Sequence, residues 1–559
     1  MAFVVLPGAD ASGNGNDWTA NNINNTDSTA TTYDIMSDVP TLTDEDTANY
    51  ATLNPLKQSG LTFSEANLTL TGSPSTWSAT HATIDLPDGK WYWEITIGTF
   101  TTLAAQIGIF RTDATFAVDP AANANGYIYS SNGQIYNNGS GSSYGASYTT
   151  GDTIGVAFDA TTGTLSFYKN GTSQGTAWSG LTGRFSPIIA LYTTIAYTNF
   201  GQRPFAYTPP TGYKKLNTYN LPDSAIKDGS QYFSTVLYTG DFSTNRTISV
   251  PTLTPDFTWI KARSIVDDQI VYDTVRQGLV GPGARIKPNS TEAESDLGDY
   301  VELITNGFKV STGTYNNSGV TFASWNWKAG GTAVSNTDGT ITSTVSANTT
   351  AGFSVVSYTG AGNGTDTIGH GLGVTPSLVF WKSRSVTEDW LVTSTLFPDP
   401  EKNFLKLNLT NAIASISAAG YTLNSLVIRA NTRMASGTTY IAYCFASVEG
   451  YSKFGSYTGN GSVDGPFVYT GFRPAFVLVK CTSLAGQGWF LLDSERDSFN
   501  IVQDYLMAQS TGAEASIDIL DFISNGFKIR QTGAGFNTSA ATYIYMAFAE
   551  NPMKHSLAR

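Results

Sequence analysis

Charge is scarce in this chain. Asp, Glu, Lys and Arg make up 13% of its 559 residues, about half the 25% usual for a soluble domain. The 31 Lys and Arg are outnumbered by 44 Asp and Glu, for a net charge of −13, and no five basic residues occur together. Phosphate binding needs clustered cations, so nucleic acid is not an expected partner. Only Cys444 and Cys481 are cysteine, which excludes a disulfide scaffold and reads as two buried free thiols. His81, His370 and His555 are far apart in sequence, and no pair has metal-ligand spacing. No metal and no cofactor is expected. No apolar run reaches the length of a membrane span, so insertion is not expected either. The opening "MAFVVLPGAD" lacks a basic flank and is not read as a secretory signal; a soluble chain made in a cytoplasm and not exported by that route is expected.

What remains is rich in aromatics (13%), in 55 glycines, and in Asn, Ser and Thr. Few helix formers and many β-formers with turn residues predict an all-β chain, and the length predicts several domains. Residues 1–56 have few apolar side chains and read as an extended attachment segment. From 57 to 210 short alternating runs separated by turns predict one antiparallel sandwich, with Thr153–Asp159 and Thr164–Tyr168 as a hairpin across "ATTG".

Three long stretches then repeat one sentence. Tyr238, Tyr358 and Tyr457 open the copies, with Pro255, Pro376 and Pro474 following at 17, 18 and 17 residues. Lys261, Lys382 and Lys480 stand six residues after each proline. The turns "TNGFKV", "AAGYTL" and "SNGFKI" come next, and "FASWNWK", "YIAYCFA" and "YIYMAFA" close the copies. Units of about 95 residues suit small β-sandwiches. The predicted boundaries are a linker at 211–231, copy one at 232–330, a Gly/Ser/Thr linker at 331–352, copy two at 353–448, and copy three with a tail at 449–559. Copies that keep packing residues indicate a building block: proline sets strand entry, glycine supplies positive φ in the turn, and aromatics fill the core. Trp327, Phe445 and Phe548 are predicted to share one buried position.

Two resemblances rest on these residues. "GKWYWEI" at 89–95, "IGIF" at 107–110, "GDTIGVAFDATTGTLSFYKNG" at 151–171 and "TNFGQRPF" at 198–205 resemble a SPRY domain. That implies a two-sheet sandwich that binds partners through loops at one end and is not a catalyst. "GNGNDW", "YATLNPL", the repeated "YTGNG … GFRPAFVLVK … SNGFK" units and "YIYMAFAENPMKHSLAR" resemble proteins of tailed bacteriophages. This implies a virion structural protein located at the tail or capsid surface: most simply a tail fibre or tail-associated adhesin, alternatively a capsid-surface decoration, and less readily a polysaccharide-degrading tailspike. The expected partners are other virion proteins through the N-terminal segment, host surface glycan or protein, and further copies of the chain.

No constellation predicts chemistry. "GSSYG" at 141–145 matches a nucleophile-elbow string but lies in a Gly/Ser loop, without the strand-to-helix context. "DASGNGND" at 10–17 has Asn21 where a calcium loop needs its closing Glu. Asp273/Arg276 and Asp493/Arg496 read as local ion pairs steadying a turn, worth about 0–1 kcal/mol. Tyr136, Tyr144 and Trp178, in or beside Gly/Asn/Ser loops, are the candidate ligand-binding residues, as faces on which sugar rings could stack.

Overall fold

The structure is a computed structural model that describes residues 45, 48–99, 105–112, 114, 116–280, 284–296 and 301–552. The 10–17 loop, His555 and all but Glu45 of the first 47 residues lie outside it. The chain is all-β, built of antiparallel sheets, and divides into two compact units, one up to Asp223 and one from Ser224.

The first unit is a two-sheet sandwich. One sheet runs in the order Leu53–Gln58, Ser78–Ala82, Phe185–Leu191, Ala105–Arg111, Gly126–Ser130, Gln134–Asn137, Ser140–Ser143. The other runs Thr172–Trp178, Thr164–Lys169, Thr153–Asp159, Lys90–Ile97, Ile195–Asn199, Thr69–Thr71, Thr62–Ser64. The hairpin predicted across "ATTG" is present, with Asp159 paired to Thr164. Two predicted boundaries shift. Leu53–Gln58 is a strand of the sandwich rather than part of a separate segment, and Lys214–Lys215, in the predicted linker, pairs parallel to Lys90–Ile97. Both faces of Lys90–Ile97 are covered. Trp91, Trp93, Ile95 and Ile97 are buried, and on the alternate side the buried Glu94 accepts backbone N–H bonds from Ala206 (2.8 Å) and Tyr207 (3.0 Å).

In the second unit each copy follows one plan. An opening strand (Phe233–Thr239, Phe353–Thr359, Ser452–Thr458) pairs with the closing strand (Thr321–Trp327, Thr439–Phe445, Thr542–Pro552). The closing strand pairs with an inner strand (Phe257–Ala262, Leu378–Ser383, Phe472–Cys481), and that with a fourth (Ile270–Asp273, Leu391–Ser394, Trp489–Asp493). A small second layer also recurs: Arg246–Ser249, Gly307–Val310, Val301–Ile304 in copy one; Ile368–Gly369, Val427–Ala430, Tyr421–Leu423 in copy two; Phe467–Tyr469, Gly526–Ile529, Ala515–Ile523 in copy three. Copy one alone adds a short helix among the described residues, Thr274–Val280. The predicted 331–352 linker is instead a strand pair, Val334–Asn336 and Ser343–Asn348, that extends the sheet of copy two beyond its opening strand.

The repeated residues show why they recur. Each opening tyrosine stacks on the first aromatic of its closing strand: Tyr238 on Phe322 at 4.9 Å, Tyr358 on Tyr440 at 5.3 Å, Tyr457 on Tyr543 at 4.9 Å. Each donates its hydroxyl to a loop carbonyl, of Tyr315, Arg433 and Phe536, at 2.8–2.9 Å. The glycine that follows is fixed by close approach. A Cβ at Gly240, Gly360 or Gly459 would lie 2.1, 2.4 or 2.2 Å from a backbone oxygen. In "TNGFKV" the left-handed residue is Asn306 (φ 56°), whereas Gly307 passes so near strand Arg246–Ser249 that a Cβ would meet the Ile248 oxygen at 2.3 Å. The turn glycine is therefore needed for proximity as well: Gly307 has a positive φ of 159°, whereas Gly526 does not, and a Cβ there would meet the Val468 oxygen at 2.1 Å.

Each copy has a sandwich core of its own between its two layers, and the opposite faces of the three main sheets build one further core in common. Trp327, Phe445 and Phe548 are each 1% exposed and lie at one register position, opposite Phe257, Leu378 and Phe476. Their rings touch one another: Trp327–Phe548 at 5.7 Å, Trp327–Phe445 at 6.3 Å, Phe445–Phe548 at 6.4 Å. The predicted equivalence holds, and the shared position is where all three copies meet.

Candidate functional site

Tyr144 follows an edge strand of one sheet of the sandwich, and Trp178 ends the edge strand of the other, so both lie along the same open side. The Tyr144 ring packs edge-on against Tyr129 (5.3 Å). Its hydroxyl donates to the Gly175 carbonyl and accepts from the Phe167 N–H (3.2 Å), tying the two sheets together. Burial pushes that hydroxyl up to about 12. Trp178 is half-buried and edge-on to Tyr127 (5.5 Å). Tyr136 sits opposite Ile128, on the other face from Tyr127 and Tyr129. Its hydroxyl meets Gln134 Oε1 (2.5 Å) and accepts from Asn132 Nδ2 (2.8 Å). The structure thus sets Tyr136 apart from Tyr144 and Trp178.

His81 is buried against Phe110 and Phe116, each 5.5 Å away, and neither ring nitrogen has a hydrogen-bond partner. Burial, with nearby Lys57, holds it well below the usual histidine range, so it packs as a neutral ring. His370 is fixed by the Asn424 carbonyl (3.0 Å) and the Leu372 N–H (3.3 Å). Cys444 and Cys481 are buried free thiols. Among the described residues no three His, Cys, Asp or Glu side chains are placed to hold a metal ion, and no helix is long and apolar enough to cross a membrane.

The densest ionisable chemistry lies where the copies join. The Asp273–Arg276 and Asp493–Arg496 pairs are local (2.5 and 2.6 Å), as predicted, but all four side chains are fully buried. The surface-pair value does not apply, because desolvation makes a broken buried pair costly. The carboxylate of each pair also accepts a bond across a seam. Tyr443 of copy two donates to Asp273 Oδ2 of copy one (2.8 Å), and Trp325 Nε1 of copy one donates to Asp493 Oδ2 of copy three (3.0 Å). Arg276 continues to Glu294 (3.0 Å), which receives Arg384 of copy two (2.8 Å). Arg496 continues to Glu514 (3.0 Å), which receives Arg263 of copy one (2.6 Å).

Around the ring, copy one thus meets copy three, copy two meets copy one, and copy three meets copy two. All three seams share a backbone bond of 2.8 Å: Glu294 N–H to the Arg384 carbonyl, Glu514 N–H to that of Arg263, and Ile413 N–H to that of Thr482. At the copy two–copy three seam every ionic partner is exchanged, while Trp489 Nε1 still donates across it to the Lys406 carbonyl (3.0 Å), as Trp390 Nε1 does to the Lys287 carbonyl (2.8 Å) at the copy one–copy two seam. Register puts Ser394 where the others have Asp, and Met546 where they have Trp325 or Tyr443. Phe397 replaces Arg, Ile413 replaces Glu and Thr482 replaces the second Arg. Phe397 and Met546 are both buried in the common core.

Two of the three repeated lysines also work at the seams. Lys261 Nζ donates to the Asp267 carbonyl (2.6 Å) in its own copy and to the Thr511 carbonyl (2.8 Å) in copy three. Lys382 does the same with Glu388 and, across the seam, Thr291 (2.8 Å). Lys480 donates to Gln487 of its own copy. Burial lowers each to about 8. A sequence signal for this network existed: Glu294 and Glu514 each lie 18 residues after their Arg, and Arg263 and Arg384 each lie two after the repeated Lys.

Residues 90–203 match the SPRY domain, so the first unit is a SPRY domain, and residues 228–552 match the family described as "Domain of unknown function (DUF7483)". Ran-binding protein 10 of Danio rerio is 39% identical over 71 residues, 12% of this chain and 12% of that protein. E3 ubiquitin-protein ligase RKP of Arabidopsis thaliana is 27% identical over 191 residues, 31% of this chain and 14% of that protein. The chain therefore spans only a small part of the length of these relatives. Among solved structures, the SPRY domain of human HERC1 aligns at 18% identity with a TM-score of 0.25, covering 26% of this chain and 96% of that one.

Proposed function

We propose that this chain, which belongs to the DUF7483 family, is a non-catalytic structural and recognition protein: a rigid three-copy body joined in sequence to a SPRY domain that binds a partner. The observation that carries this reading is the use made of the repeated ionisable groups. Asp273, Arg276, Asp493, Arg496, Lys261 and Lys382 are committed to bonds that hold the copies together, and Lys480 to a bond within its own copy. A unit repeated three times for such joints is a building element, and buried, fully paired charges are poor acids or bases.

Within that class the reading is a virion protein, a tail fibre or tail-associated adhesin directed at host surface glycan or protein. Its support is the run of "YTGNG", "GFRPAFVLVK" and "SNGFK" strings that resemble tailed-phage proteins. The N-terminal segment would join it to neighbouring virion proteins, and the SPRY domain would face outward. Electron microscopy of purified particles carrying an epitope tag at the exposed Gly180 tests this. Label at the tail supports the adhesin and label over the capsid favours the decoration protein. Particles lacking the protein, from cells that make it, would refute both.

A further inference from the structure

At the periphery of the copy one–copy two seam lies a cavity of about 720 Å³, within the range of small-ligand sites. Its lining includes Thr344, Ser357, Thr359 and Thr439, with Glu294 and Arg384. The hydroxyls converge by register. Thr344 pairs with Ser357 and Thr359 with Thr439, and residues directly opposite in antiparallel strands share a face. Ser357 Oγ accepts from Arg384 Nη1 (3.1 Å), which leaves its own hydrogen for another acceptor. The side-chain hydroxyls of Thr344, Thr359 and Thr439 have no hydrogen-bond partner among the described residues.

Two features set this seam apart. The strand Ser343–Asn348, which belongs to copy two alone, raises a wall that copies one and three lack beside their opening strands. The corresponding positions also differ in part in the other copies. Leu237 stands where copy two has Ser357, and in copy three Thr482 takes the place of Arg384 and binds the Thr542 hydroxyl (2.8 Å).

The charges at the base cancel. Glu294 lies between Arg276 and Arg384, and Arg276 is also paired with Asp273. Two cations and two anions, already bonded to one another, leave little net field to select a charged ligand. What the cavity offers is hydroxyl donors and acceptors beside apolar surface that includes Ile341. From this geometry we infer that the cavity is a binding site for a neutral, polyhydroxylated ligand, that is, an uncharged saccharide. The inference does not rest on the virion reading and places the site away from the SPRY loops.

The test uses the full chain and a panel of neutral hexasaccharides of glucose, galactose, mannose, rhamnose and N-acetylglucosamine, with hyaluronan hexasaccharide as the acidic comparison. Binding is read by saturation-transfer NMR and then by titration calorimetry. At least one neutral hexasaccharide should bind. Thr344→Val/Thr359→Val should weaken it at least tenfold, and Thr342→Trp, an exposed position on the cavity rim, should abolish it, both with unchanged melting temperature. Tyr136→Ala and Trp178→Ala should leave it unchanged. The inference is overturned if no neutral hexasaccharide binds, if only the acidic one does, or if Thr342→Trp binds as well as the parent chain.

Discussion

Two of the three seams are stitched by buried charge and the third by apolar packing, although all three keep the same backbone bond at 2.8 Å. Five positions change together at the third: Asp to Ser394, Arg to Phe397, Glu to Ile413, Arg to Thr482, and Trp or Tyr to Met546. A network of buried charges is useful only when complete, because one member left alone keeps its desolvation cost and loses its partner. Conversion as a set is what that physics requires. The comparison teaches that the ring closes through its aromatic centre and its backbone, and that the side-chain chemistry of a seam can be either polar or apolar.

Breaking the polar seam at one point should have the largest effect. Asp493→Ala strands the buried Arg496 and removes the acceptor of Trp325, for a loss of about 3–5 kcal/mol in urea denaturation. Ser394→Ala at the equivalent apolar position removes two neutral hydroxyl bonds, one donated to the Ser377 carbonyl and one accepted from the Leu396 N–H, and should cost about 1–2 kcal/mol. Equal losses at the two positions would erase the distinction between seams. Phe548→Ala acts at the centre common to all three, and should cost about 3–5 kcal/mol by the same measurement.

Grafting the apolar set onto the copy three–copy one seam sharpens the contrast. The variant Asp493→Ser/Arg496→Phe/Glu514→Ile/Arg263→Thr/Trp325→Met should fold with stability unchanged or raised by up to about 4 kcal/mol, despite containing a single substitution at a site that is severely damaging alone. A loss as large as that of Asp493→Ala would mean that the charges themselves hold the seam.

A last effect is a pH dependence carried by the three repeated lysines. Burial lowers Lys261, Lys382 and Lys480 to about 8, against 10.5 unfolded. Between those values the unfolded chain binds more protons than the folded one, so stability should rise with pH from about 8 toward 9.5. Above 10 the buried tyrosines reverse the trend: their hydroxyls are raised by burial, so the unfolded chain releases protons first. Urea midpoints at pH 7.5 and 9.5 check the sign, and Lys382→Met should reduce the rise.

Much of this architecture was legible in the sequence. Strand content, the SPRY sandwich, the three copies and the equivalence of Trp327, Phe445 and Phe548 follow from alternation, turn residues and shared order. The common core was also written, in the nearly continuous apolar closing strands such as "YIAYCF", since a strand covered on one face only would alternate. The seam network was harder to read, because its partners come from different copies and sequence gives spacing but not which copy faces which. Tyr136 shows the same limit on a smaller scale: its loop composition matched that of Tyr144, but strand pairing placed it on the other face.

The central claim is that three copies form one cooperative body around a shared centre. It is tested most directly by urea unfolding of the full chain labelled with fluorotryptophan, following the resonances of Trp327 in copy one, Trp390 in copy two and Trp489 in copy three. Each of these residues is buried in the common core. The account predicts that the three resonances lose their folded intensity at one urea midpoint. Three separate midpoints, with one copy unfolding while the others persist, would contradict it.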